Sequence, residues 1–252
     1  MILRRFTKHV TEQNWFAVGL DVLVVITGIF LGMQVNNWNE VRKDRIEGIQ
    51  YLELIKSDLK QDIDLLNFSY LLADKRISQV QFLEKVALSP HLAETNPNKT
   101  IIYLVGASWE SYLELGPRTY SEMLSSGKTT LIRDINLRKL IADYYRDINR
   151  WAKILDTNQA RREYINAIAG LLPSDTLIVI EENEDNITTE NILSMDDALM
   201  VAESFSNNRD AVKWLPQMLH YHVLVKKVIT KHQTTSKDLI AAIDIELERE
   251  TQ

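Results

Sequence analysis

The chain has 252 residues, a formal charge of −6 and no cysteine. Lacking cysteine, it can build no disulfide, thiol nucleophile or Cys-ligated zinc site, and its acidic balance argues against a broad nucleic-acid-binding face. Eight glycines and five prolines leave little room for flexible linkers, a composition that favours helices.

Residues 1–14, MILRRFTKHVTEQN, form a short basic head. In the stretch that follows, from Trp15 to Trp38, Phe16 to Val35 is apolar or small apart from Asp21, Thr27 and Gln34. On a helix rising ~1.5 Å per residue the two indoles stand roughly 34 Å apart, close to the separation of the two headgroup boundaries where tryptophan concentrates. The expectation is a transmembrane helix over residues 15–38, with Trp15 and Trp38 as interfacial anchors; a buried core helix is the plainer alternative. Leu31 to Asn37 offers no small-residue cleavage site, which predicts an uncleaved signal anchor. Orientation is nearly balanced, because Arg4, Arg5 and Lys8 on one side face Arg42, Lys43 and Arg45 on the other. The amino-terminal charge tips the expectation to N-inside, with residues 39–252 outside the cytoplasm.

At about 100° per residue, Asp21, Gly28 and Gly32 share one stripe of this helix, and Asn39 continues it. Small residues there let another helix approach closely, which makes the stripe a candidate intramembrane packing face. A carboxylate in hydrocarbon costs about 2.5–3.5 kcal/mol at the centre and less near an interface, so Asp21 needs a partner or water. The plainer account has Asp21 snorkelling to the near headgroups and the glycines incidental.

After the span, apolar residues recur every three or four positions at Ile46, Ile49, Leu52, Ile55, Leu59, Ile63, Leu66 and Tyr70, the stripe of an amphipathic helix that could continue the span. Ser89-Pro90 and Asn96-Pro97-Asn98 bracket a predicted loop. From Thr100 a helix is expected up to Gly116-Pro117, then a short one over Arg118 to Ser126 closed by Gly127. Asp134 is placed to cap a long helix carrying Leu137, Ile141, Tyr144 or Tyr145, Ile148 and Leu155 and ending before Pro173. Residues 177–180, LIVI, read as a short strand, and Glu181 to Asp185 as an acidic loop. Ser194 is the predicted cap of a helix over Met195 to Phe205. A last long helix from about Asp210 to Glu248 has Pro216 in its first turns and a polar stretch, Gln233 to Lys237, that could break it. The expected architecture is all-α, an N-terminal transmembrane helix running into an elongated helical bundle whose last helix packs beside the first.

The segments VLVVITGIFLGMQVNNWNEVRKDRIEGIQYLELIKSDLKQDI and YSEMLSSGKTTLIRDINLRKLIADYY resemble a family of uncharacterised single-span membrane proteins of Bacteroidota and other Gram-negative bacteria. The matching positions are Asp21, where that family more often has Glu, and Gln34, Asn36, Asn37, Trp38, Asn39 and Glu40 at the junction. Further along they are Ser125, Ser126, Gly127, Leu131, Ile132, Leu137, Arg138, Ile141, Tyr144 and Tyr145. The likeness covers roughly the first 150 residues. It implies a single-pass protein of the bacterial inner membrane and supplies no activity.

No residue pattern points to catalysis. His220 and His222 lie two apart, so on a helix they project about 200° apart and cannot share an ion, and no HExxH accompanies them or His232. The Ser125-Ser126-Gly127-Lys128 run is similar to an anion-binding loop but lacks the upstream glycine and preceding strand; a glycine C-cap accounts for it. No catalytic, cofactor-binding or metal site is therefore assigned, and no cofactor is expected. The leading expectation is a membrane-anchored interaction or scaffold protein whose partners are the bilayer and, through the span, a second copy or another membrane protein, with no nucleic acid involved. An extracytoplasmic ligand-sensing bundle acting through a membrane partner is the alternative, because the head is too short to hold an output module. An enzyme of unknown class comes third.

Overall fold

A computed structural model describes residues 15–95, 97–111, 115–156, 158–172 and 194–251, and among them the secondary structure is helical throughout. Helix α1, Trp15–Leu88, runs without interruption from the apolar stretch into the folded body. Then come α2 (Leu92–Thr95), α3 (Pro97–Gly106), α4 (Arg118–Ser125), a 3-10 turn (Lys128–Leu131), α5 (Ile135–Asp156) and α6 (Gln159–Ile168). Helices α7 (Met195–Asn207), α8 (Arg209–Val212) and α9 (Leu215–Thr251) complete the fold. The strand expected at 177–180 and the loop at 181–185 lie outside the described residues, as does the basic head.

Helix α9 returns antiparallel along α1. Arg45 pairs with Glu250 at 2.6 Å, Lys56 with Asp244 at 2.5 Å, Gln233 with Asn67 at 2.9 Å, and Lys226 with Asp74, so the register holds along the whole seam. These ion pairs are largely solvated and mark the alignment more than they stabilise it. Stabilisation comes from the buried line beneath. On α1 it follows an unbroken heptad through Gly48, Leu52, Ile55, Leu59, Asp62, Leu66, Ser69, Ala73, Arg76, Val80 and Leu83, all buried. On α9 the same alternation of three and four runs from Leu215 through Met218, His222, Val225, Ile229, His232, Ser236 and Leu239 to Ile243. A repeat of 3.5 residues keeps one seam facing its partner over many turns, which a straight 3.6-residue stripe cannot do. The apolar stripe expected on α1 is thus corrected: Ile46 is exposed and Ile49, Ile63 and Tyr70 only half-buried, because the apolar side chains drift off the heptad that polar residues complete.

Helices α4 and α5 lie against this pair and close a first core around Ile55, Leu59, Leu66, Ile141, Ile148, Ile229 and Ile243. A second core at the far end joins Val80, Leu83 and Val86 of α1 to α2, α3, α6, α7, α8 and the start of α9. It is tied together by polar side chains that satisfy helix-end carbonyls. The Tyr164 hydroxyl donates to Leu104 O at 2.9 Å, the Ser206 hydroxyl to Ala87 O at 2.7 Å, and the Asn208 amide to Ala167 O at 3.0 Å.

Several expected boundaries hold for the expected reason. Asp134 Oδ1 accepts from the backbone N–H of Asn136 and Leu137, and Ser194 Oγ accepts from Asp197 N. Gly127 has φ +70°, the left-handed conformation that ends α4. A Cβ there would meet nothing within 4 Å, so Gly127→Ala exposes the backbone term alone and is expected to cost about 1 kcal/mol in urea unfolding.

Others move. The loop expected between Ser89-Pro90 and Asn96-Pro97-Asn98 holds the short α2 at Leu92–Thr95, and Pro97 opens α3 as a first-turn proline. Helix α3 ends at Gly106 and not near Gly116, because tertiary donors capture the carbonyls beyond it: His222 Nε2 takes Ala107 O at 3.0 Å and Arg161 Nε takes Ser108 O at 2.7 Å. The helix expected to reach Pro173 breaks into α5 and α6 at Asn158, whose side chain caps Arg161 N. Gln233 to Lys237 does not break α9. Thr234 and Thr235 turn their hydroxyls back to the carbonyls of Thr230 and Lys231, while Ser236 is buried against α5. The expected Asp210 start resolves into the short α8 and a fresh start at Leu215, with Pro216 in the first turn.

Candidate functional site: an unaccompanied apolar helix and two buried polar layers

The apolar start of α1 stands clear of the folded body over its described side chains. From Leu20 to Asp44 every described position is exposed, and neither Gly28 nor Gly32 has an atom within 4 Å of where a Cβ would stand. Among the described residues this is the one helix long and apolar enough to cross a membrane, and none of its apolar window is buried. Two of its polar side chains bond within the helix: the Thr27 hydroxyl returns to Leu23 O at 2.8 Å, and Asn36 donates to Glu40 at 3.0 Å. Trp38 is 65% exposed, with the Arg42 guanidinium 5.9 Å over its ring. Trp15 and Asp21 lie on the backbone of α1, and their side chains fall outside the described set. Helical geometry nonetheless keeps Asp21, Gly28 and Gly32 on one stripe.

Where α1, α5 and α9 meet, a polar layer interrupts the first core. Tyr144 of α5 donates to Asp62 Oδ2 of α1 at 3.2 Å and lies 2.7 Å from Ser236 Oγ of α9. Asp62 and Ser236 are fully buried. The other carboxylate oxygen, Oδ1, has no hydrogen-bond partner among the described residues. Burial pushes the Asp62 carboxyl up to about 6, the Tyr144 hydroxyl bond and the Arg118 guanidinium oppose the shift, and the Asp58 charge one turn below adds to it. Asp58 itself accepts from Thr119 N at 3.0 Å and has Arg118 Nε at 3.8 Å. Burial also raises the hydroxyls of Tyr144 and Tyr145, so both stay protonated. One turn further, His232 Nε2 stands 3.4 Å from Asp147 Oδ2, which also holds Lys231 at 2.5 Å. Burial holds the His232 ring below its ordinary value in spite of Asp147.

The second layer lies between the two cores. Arg76 Nη1 donates to Gln79 Oε1 at 3.1 Å, and its guanidinium sits 5.0 Å over the Trp109 ring. His222 donates through Nε2 to Ala107 O, an assignment that leaves Nδ1 to accept from Ser111 at 3.3 Å. Burial pushes His222 down to about 4, Ala107 O opposes this, and Arg76 adds to it, so the ring is neutral. His220, two residues earlier, is exposed, as the angular argument requires.

His222 and His232 were weighed in the sequence only as metal ligands, and Asp62 and Arg76 were not singled out. The signal of these last two was present: Asp62, Ser69 and Arg76 stand seven apart in line with Gly48 and Ile55, polar residues on a seam position. Among the described residues no group of three or more His, Asp or Glu could hold a metal ion.

No curated protein and no solved structure matches the chain. A family model does, over residues 21–168, from Asp21 in the apolar half of α1 to the last residue of α6. That match takes in the α1 and α5 sides of the Asp62 layer and stops short of α9. It covers more than half of the chain, which belongs to the family of unknown function DUF6090.

Proposed function

We propose that this is a membrane-anchored helical interaction protein. The apolar half of α1 crosses the bacterial inner membrane once, the body stands outside the cytoplasm, and the Asp21, Gly28 and Gly32 face packs on a second copy or on another membrane protein's helix. The observation that carries this reading is the exposure of α1 before the seam. Eleven large apolar side chains between Leu20 and Val35 are more than half exposed. Left in water they would forgo on the order of 15–30 kcal/mol, more than the whole stability of an ordinary domain, so lipid or protein must cover them. Lipid suits a helix of this length with tryptophans at both ends. A sensing role is the second reading, favoured by the buried Asp62 layer on the same helix.

Membranes washed in alkaline carbonate should retain the intact chain; release into the supernatant would remove the anchor. Two differently tagged copies, solubilised in mild detergent, then test the packing face. Gly28→Ile and Gly32→Ile should each reduce co-purification several-fold by holding the partner backbone away, an effect in line with interhelical contacts worth roughly 0.6–2 kcal/mol. Undiminished recovery of both the second copy and other co-purifying membrane proteins would leave a plain anchor.

A further inference from the structure

Asp62 is a buried carboxylate without a cation. It forms no ion pair among the described residues; Arg118 spends its guanidinium on Gln61, at 2.8 Å, and on Asp58. Among the described residues its one hydrogen bond is that from Tyr144, and Tyr144 is also bonded to Ser236. Three helices are therefore joined by one chain of hydroxyl and carboxyl groups, and such a chain has two polarities. With Asp62 ionised, Tyr144 donates to the carboxylate and can only accept from Ser236, leaving Oδ1 charged and unsolvated. With Asp62 protonated, the carboxyl O–H donates to Tyr144, which donates on to Ser236. The proton comes from and returns to water, and the second arrangement carries no buried charge.

We propose that the Asp62–Tyr144–Ser236 chain is a proton-sensitive latch, holding α1, α5 and α9 together when it carries the extra proton and loosening that seam when the proton is lost. Of the groups around it, Asp58 on α1 supports this direction with a negative charge one turn away, whereas Arg118 of α4, engaged with Gln61 and Asp58, opposes it; α5 contributes Tyr145 and Asp147. From α9 come Lys231 and His232, both on Asp147. His232 acts with the opposite sign, since burial favours its neutral ring and acid would loosen the seam through it. The latch gives the sensing reading a stimulus, and its test does not depend on α1 lying in lipid.

Hydrogen exchange of the full chain in detergent, from pH 5 to pH 8 and corrected for intrinsic rate, tests the latch. The ratio of seam amides in residues 55–69 and 225–240 to those of residues 201–205 in the second core is the readout. With Asp62 near 6 in the closed seam and 3.8 when open, protection of the seam should fall about ten-fold across that range. Asp62→Asn should flatten the profile at the acid level. Tyr144→Phe, which strips the carboxylate of its remaining donor, should move the midpoint upward, and His232→Gln should leave the fall in place or deepen it. A flat wild-type profile would overturn the latch, as would an unchanged fall in Asp62→Asn or its loss in His232→Gln alone.

Discussion

Gly48→Val is expected to lower the stability of the full chain by about 3 kcal/mol or more, and Gly48→Ala by clearly less. A Cβ at Gly48 would stand 2.6 Å from Leu131 O and 3.3 Å from Leu131 C, both backbone atoms at the end of the 3-10 turn. Backbone cannot swing aside as a side-chain tip can, so either α1 or the 126–133 segment must shift. Inserting atoms into a packed core costs roughly 1–3 kcal/mol. For alanine the gain of replacing a mid-helix glycine, about 1 kcal/mol, offsets part of this. For valine the offset is smaller and two further methyls are added to the clash. Urea unfolding of the three proteins, followed by circular dichroism, gives the order glycine, alanine, valine. Equal or higher stability for the valine variant would mean that the turn does not press on α1 as described.

Asp62→Asn, in contrast, should stabilise. The folded-state carboxyl is raised to about 6 from an ordinary 3.8, so the group favours folding fully only below about pH 4, and that contribution is lost as pH rises towards and through 6. At pH 7 the ionised carboxylate therefore costs about 3 kcal/mol relative to a neutral one, at 1.36 kcal/mol per unit. Asparagine keeps the size and an acceptor for Tyr144 and carries no charge. Thermal melts at pH 7 should rise by several degrees, with the advantage over wild type shrinking as pH is lowered and gone near pH 4. An Asn variant less stable than wild type at pH 7 would show that Asp62 finds compensation as an anion.

The helix inventory was legible because its signals are local. Asp134 and Ser194 are caps a few residues from the backbone groups they satisfy, and Gly127 is the residue that tolerates the turn it makes. The apolar length before Trp38 needed no tertiary knowledge either. What could not be read locally was decided across the fold. Helix α3 stops early because His222 and Arg161, more than fifty residues away in sequence, take the carbonyls it would have used. The threonines of α9 look like a break until their hydroxyls are seen to fold back on their own helix. The Asp62 layer was hidden for a related reason: a search for apolar periodicity passes over a seam position filled by an acid, whose meaning lies in Tyr144 and Ser236 on other helices.

Because α1 has no joint between its apolar half and the seam, the azimuth of one end dictates that of the other. Counted at about 100° per residue, Gly28 and Gly32 point roughly opposite to Gly48, which faces the folded body. Two chains joined through the glycine stripe would therefore carry their bodies on opposite outer flanks, free of collision, with the rods back to back on the shared axis. Each residue inserted between Trp38 and Gly48 would swing the body by about 100° and lift it ~1.5 Å, so that a single insertion spoils this arrangement while seven, close to two full turns, restore it.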